Sequence, residues 1–214
     1  MQSRISQSDE QKEGIVRGRG AGVRVASVAL AAFLLGGCAL LSTPTPPDTY
    51  TLTAPSFTKS SRAPRGLLVI AQPTAISAID SERIVARPAT GEITYVQESQ
   101  WSDGLTRLLQ ARILESFENA SRLSAVGRVG DRLSSDFQLA TDVRSFEVDA
   151  GSGMAVVEIS AKIINERNGR IAAGKIFRGT APVGAINGAE ASRALDTALH
   201  QVLRDLVEWT TSRI

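Results

Sequence analysis

One cysteine and one histidine occur among the 214 residues, and aromatic residues make up only 5%. A solitary cysteine excludes an intrachain disulfide. With a single histidine beside it, zinc would have only carboxylates left as ligands, which makes a poor site. No Gly-x-x-x-x-Gly-Lys-Ser/Thr run is present, so the chain carries no phosphate loop of an ATPase. Gly151-Ser152-Gly153 joins two strand-like runs and leads into no helix, which argues against a phosphate cradle. His200 lies at the edge of an apolar stripe and reads as a partly exposed helical residue. No nucleophile-elbow pattern accompanies it, so a Ser-His-Asp triad has no support. Asp80, Glu82 and Asp103 read as solvated acids of loops and helix starts. These absences together point to a chain without catalytic, metal or cofactor chemistry. With few aromatics, its core must rest on Leu, Ile, Val and Ala.

A surplus of charge is also missing. The net charge of +2 comes from the N-terminal stretch: five of the 24 basic and three of the 22 acidic side chains lie in residues 1–37. The remainder holds nineteen of each and is formally neutral, which recommends neither nucleic acid nor an anionic surface as a partner. The 177 residues from Cys38 onward suffice for one domain with a hydrophobic core.

The lone cysteine gains meaning from its neighbours. Arg17, Arg19 and Arg24 precede Val25–Leu35, an uncharged apolar run of eleven residues. A basic segment, then a short apolar one, then small residues is the pattern of an export signal. Spanning a bilayer takes about 20 apolar residues, so the run is too short for that role. Leu35-Gly36-Gly37-Cys38 resembles a bacterial lipobox. That resemblance implies cleavage between Gly37 and Cys38, a lipid on the Cys38 sulfur, and an acylated new N-terminus. One acyl chain anchors marginally, whereas two or more hold a protein on the membrane, each buried methylene contributing about 0.8 kcal/mol. Ala39 follows the cysteine, and no aspartate stands there as an inner-membrane retention signal. By analogy with enterobacterial sorting, the expected location is the inner leaflet of the outer membrane, facing the periplasm.

Downstream, Ser42-Thr43-Pro44-Thr45-Pro46-Pro47-Asp48 favours extended polyproline II. At about 3.1 Å per residue, such a tether would hold a domain roughly 30 Å from the lipid. The expected organisation is a signal peptide (1–37), a lipidated cysteine with a proline-rich linker (38–48), and one domain (49–214).

Within that domain, Thr49–Thr53 and Leu67–Ala71 read as strands, and Arg83–Arg87 with Glu92–Val96 as a hairpin around Pro88–Gly91. Leu105, Leu108, Leu109, Ile113 and Phe117 recur at helical spacing and predict an amphipathic helix over 101–119. Phe137, Leu139, Thr141 and Val143 alternate, then the phase slips to Phe146 and Val148, as a bulge would cause. Val157, Ile159, Ala161 and Ile163 keep one face, and Asn168-Gly169 turns the chain into a strand from Ile171 to Thr180. Asn187 and Glu190 suggest a variant capping box opening a second amphipathic helix, marked by Leu195, Ala198, Leu199, Val202, Leu203 and Leu206. The fold class is therefore α+β, a mixed and mostly antiparallel sheet with both helices on one face.

Several ordered motifs resemble one family. "YTL" at Tyr50–Leu52 is followed by the strand "VIAQP" at Val69–Pro73 and by "DSERIVAR" at Asp80–Arg87. "EITYV" at Glu92–Val96, "WSDGL" at Trp101–Leu105, and "DFQL…VRSFEVD" over Asp136–Asp149 complete the series. Together with the lipobox, they resemble the ABC-type transport auxiliary lipoproteins, the family that includes paraquat-inducible protein C. One departure is Ala86, where the family often has an aromatic residue. The resemblance implies a non-enzymatic partner of an MCE-domain protein, working with permease and ATPase subunits. Such systems move phospholipid or other hydrophobic molecules between inner and outer membranes. The lipoprotein would dock the periplasmic assembly at the outer membrane, and a homo-oligomeric ring is one form of assembly it implies. Tyr50, Arg83, Arg87 and Trp101, which stand in these motifs, are the candidate partner contacts. A lipoprotein of outer-membrane assembly or envelope maintenance is the alternative reading.

Overall fold

A 13-residue strand forms the axis of the sheet and pairs directly with four of the other strands. The coordinates are a computed structural model describing residues 46–58, 66–131 and 134–214. They form a compact unit, Pro46–Ile214. The lipobox and most of the proline-rich linker lie outside the described residues.

The axial strand is β7 (Phe137–Asp149). Along one edge it pairs antiparallel with β8 (Met154–Asn165), which pairs antiparallel with β9 (Arg170–Pro182). Tight turns set these registers. Asp149 accepts hydrogen bonds from the Gly151 and Ser152 amides at the β7–β8 turn. Asn168-Gly169 closes β8–β9 with Gly169 at φ 66°, a conformation open to glycine. The predicted phase slip is a register shift between Val143 and Ser145.

The other edge of β7 is shared end to end by three parallel neighbours: β2 (Leu67–Ile70), β3 (Thr74–Ala75) and β4 (Arg83–Arg87). From there the sheet forks. β6 (Ala125–Arg128) joins β2 in parallel, whereas β5 (Thr94–Trp101) runs antiparallel to β4 and carries β1 (Asp48–Tyr50) beside it in parallel. The long ladders are antiparallel and the short ones mostly parallel, so the sheet is mixed, as expected.

Both helices cover one face. In α1 (Leu105–Ala120), Leu105, Leu109, Ile113 and Phe117 are buried, and in α2 (Gly188–Thr211) the six predicted stripe residues are buried. They meet Leu68 and Ile70 of β2, Leu139 and Val143 of β7, and the odd-numbered residues of β8. The core rests largely on aliphatic residues, with two edge-to-face aromatic pairs: Trp101–Phe146 at 5.9 Å and Phe177–Trp209 at 5.5 Å. The approach of α2 to β9 is very close. A Cβ added at Gly179 would lie 2.1 Å from the Ala198 carbonyl oxygen, so only glycine fits there.

Two expectations need correction. The first helix begins at Leu105, not at residue 101, because Trp101 ends β5 instead. Its amide donates to Glu82 O at 2.6 Å, and Ser102 donates to Tyr50 O at 2.7 Å. The strands β3 and β6 were not anticipated, being two and four residues long. Such short pieces carry no period, and their pairing comes from neighbours distant in sequence.

Candidate functional site

The motifs that stand apart in sequence meet at the start of α1. Gly104, the N-cap, has no side chain to satisfy the helix's free amides. The "DSER" loop supplies the acceptors. Asp80 Oδ1 takes the Thr106 amide at 3.3 Å and its hydroxyl at 2.9 Å, and Ser81 O takes the Leu105 amide at 3.3 Å. Negative charge at a helix N-terminus is favourable, typically by about 0.3–1 kcal/mol. Asp103 binds Arg107, which holds its carboxyl below the usual aspartate range, aided by the Gly104 amide. Two of the three acids expected to be solvated are thus partnered: Asp80 caps α1 and Asp103 binds Arg107.

The candidate contact residues separate into different environments. Arg83 and Arg87, four apart on β4, lie on the sheet face opposite the helices. The Arg83 guanidinium sits 3.5 Å from the centroid of the Tyr95 ring, a cation–π contact. Arg87 forks onto Glu147, with Nε–Oε1 at 2.9 Å and Nη2–Oε2 at 2.8 Å. That hydrogen bond and charge raise the arginine's pKa further. Glu147 is only 8% exposed, so Arg87 neutralises a buried carboxylate and joins β4 to β7. Tyr50 is half-buried on β1, opposite Trp101 in the β1–β5 register. Trp101 is 1% exposed and packs on Phe146. Its indole therefore belongs to the core rather than to a surface a partner could reach, and the structure does not gather these four residues into one patch.

Beyond Arg87, the open face carries a second charge group. Glu158 lies between Arg144 and Arg178, at 3.6 and 3.5 Å. The open-face residues of β8, Val156, Glu158, Ser160, Lys162 and Ile164, are all exposed or half-exposed because both helices pack on the other side.

One constellation lay beyond the reach of sequence reading. Thr53, Asp196 and His200 converge where the N-terminal segment crosses α2. Asp196 accepts from the Thr53 amide at 2.8 Å and hydroxyl at 2.6 Å. His200 Nε2 lies 2.8 Å from Thr53 Oγ1 and 3.2 Å from Thr53 O. A carbonyl only accepts, so Nε2 carries the proton that reaches it. The Asp196 carboxylate also lies on the Nε2 side, at 3.6 Å. In a catalytic triad the carboxylate would hold Nδ1 and free Nε2 for the nucleophile. Here the three groups form a latch that fixes residue 53 to α2. Among the described residues, no group of three His, Cys, Asp or Glu could hold a metal ion.

Residues 50–207 match the family model described as the ABC-type transport auxiliary lipoprotein component. The chain belongs to this family. A crystal structure of protein XCC0632 from Xanthomonas campestris is 31% identical, with a TM-score of 0.70, covering 77% of this chain and 95% of that one. Protein bll6063 of Bradyrhizobium diazoefficiens is 32% identical over 145 residues, or 67% of this chain. The chain spans 39% of that relative's length. CT253 of Chlamydia trachomatis shares the fold at 8% identity and a TM-score of 0.51, covering 70% of this chain and 97% of that one. The family is described as a transport auxiliary component.

Proposed function

We propose that the protein is a lipid-anchored, non-enzymatic component of an MCE-type ABC transport system. Its domain docks the periplasmic end of the transporter at the outer membrane, where phospholipid or another hydrophobic molecule is handed across. The family match over residues 50–207 carries this reading. The lipobox at Leu35–Cys38 supports it, lying twelve residues ahead of the matched region. A covalently acylated Cys38 confines the domain to one membrane surface, and the proline-rich stretch gives it reach. The transporter's own subunits supply energy and conduit, and this chain supplies position.

The anchor is tested with Cys38→Ala. The variant is expected to leave the membrane fraction for the soluble periplasm, and mass spectrometry of the native chain should find acyl groups on residue 38. An unmodified thiol at Cys38, or a Cys38→Ala chain that still sediments with outer membranes, overturns the proposal.

A further inference from the structure

The outer edge of β9 is closed at one end and open along the rest. Among the described residues β9 pairs with β8 alone, so the main-chain groups on its far side have no strand partner there. The Val183 amide donates to Gly153 O at 2.9 Å, which fixes the phase of the ladder. In an antiparallel pair the bonded residues alternate, so Pro182, Thr180, Arg178, Ile176 and Gly174 turn their main-chain groups outward. Two of these positions are protected. Proline has no amide to offer, and the Gln201 side chain from α2 occupies Thr180. Gln201 Oε1 takes the Thr180 amide at 3.2 Å, and Nε2 donates to Thr180 O at 3.0 Å, as a neighbouring strand would. Nothing among the described residues does the same for Arg178, Ile176 and Gly174.

An unprotected edge is normally blunted, because it templates pairing with another strand. This one is instead dressed for a visitor. On the open face Ile176 is 49% exposed and Ile171 is 59% exposed. On the helix-side face stand Arg170 and Lys175, neither in an ion pair among the described residues. The strand Arg170–Pro182 contains three cations and no acid, within a chain that is neutral beyond residue 37.

We propose that the Gly174–Arg178 edge of β9 is a docking site for an extended, acidic segment of a partner protein, added as a further strand. Main-chain bonds to Gly174, Ile176 and Arg178 supply affinity, while side-chain pockets set specificity. The partner strand alternates apolar residues, packed on Ile176, with carboxylates directed at Lys175 and Arg170. A second β9 is disfavoured, because it would bring three further cations and no acid to this edge. This surface is separate from Arg83 and Arg87, and the inference holds whatever transporter the protein serves.

The test uses the full chain in detergent and fluorescent ten-residue peptides alternating valine with glutamate or with lysine. The acidic peptide is expected to bind saturably, the basic one at least about tenfold more weakly, with slowed amide exchange at Gly174, Ile176 and Arg178. Ile176→Pro removes an outward amide without breaking a ladder bond. It is expected to weaken the acidic peptide at least about tenfold and leave the melting temperature within about 3 °C. Lys175→Glu, which leaves the backbone alone, should invert the preference between the peptides. Unchanged binding in both variants overturns the proposal. So does binding of phosphatidylglycerol vesicles without either peptide, or sedimentation showing that Ile176→Pro dissociates an oligomer of this chain.

Discussion

The two faces of the β7–β8–β9 sheet are made from the same strands and behave as different materials. On the helix side, Val157, Ile159, Ala161 and Ile163 of β8 are fully buried, while the alternate residues between them reach solvent. The covered face is held by shape, through aliphatic packing and a backbone contact at Gly179 that tolerates no side chain. The open face is held by charge, through Arg87–Glu147 and the Arg144–Glu158–Arg178 group. Shape and charge differ in what they permit. Close packing fixes the helices, because interiors are as dense as organic crystals and yield little. The exposed Arg144–Glu158–Arg178 group contributes little energy, whereas Arg87 pairs with a nearly buried carboxylate.

This contrast can be broken most forcefully on the covered face. Phe146→Ala removes the ring against which Trp101 stacks and should destabilise the domain by about 3–5 kcal/mol, read from urea denaturation. Gly179→Ala forces α2 away from β9 and is expected to cost about 3 kcal/mol, with a lower denaturation midpoint and an unchanged slope. Arg87→Ala is the intermediate case, since it leaves the Glu147 carboxylate buried and unpaired; about 2 kcal/mol is expected. Arg87→Ala with Glu147→Gln together should recover part of that loss, which a double-mutant cycle measures. Glu158→Gln on the open face should change stability by less than about 0.5 kcal/mol.

Acid sharpens the same comparison. Arg167 and the Leu67 amide lower the pKa of Asp136, and the Ser152 hydroxyl and amides lower that of Asp149. Depressed carboxylates stabilise the fold fully above the unfolded value of about 3.9 and lose that contribution as pH falls through the lower folded value. Stability should therefore fall from pH 5 toward pH 2, and Asp136→Asn should flatten the curve. A slope unchanged in Asp136→Asn would show that the ion pair contributes nothing.

Much of this architecture was legible because it is local. Asn168-Gly169, the phase slip after Val143, and the apolar stripe from Leu195 to Leu206 each record a nearby constraint. Asn187 capped α2 as anticipated, through a 3.0 Å bond from the Glu190 amide, although the Glu190 carboxylate turns to Arg193 instead of completing the box. What escaped was non-local. The trans-cap of α1 by Asp80, the Thr53–Asp196–His200 latch and the fork of the sheet join residues far apart in sequence. Trp101 shows the limit most clearly. Its place beside a helical period suggested a helix start, but the strand pairing of β5 with β1 and β4 took it into the core.

The role proposed for this chain is a foothold for a lipid-handling ABC transporter at the outer membrane. The most direct measurement is affinity purification of the native, acylated chain from solubilised envelope, followed by identification of bound proteins. An MCE-domain protein with its permease and ATPase is expected, recovered in fixed ratio. Recovery of barrel-assembly factors in their place would contradict it.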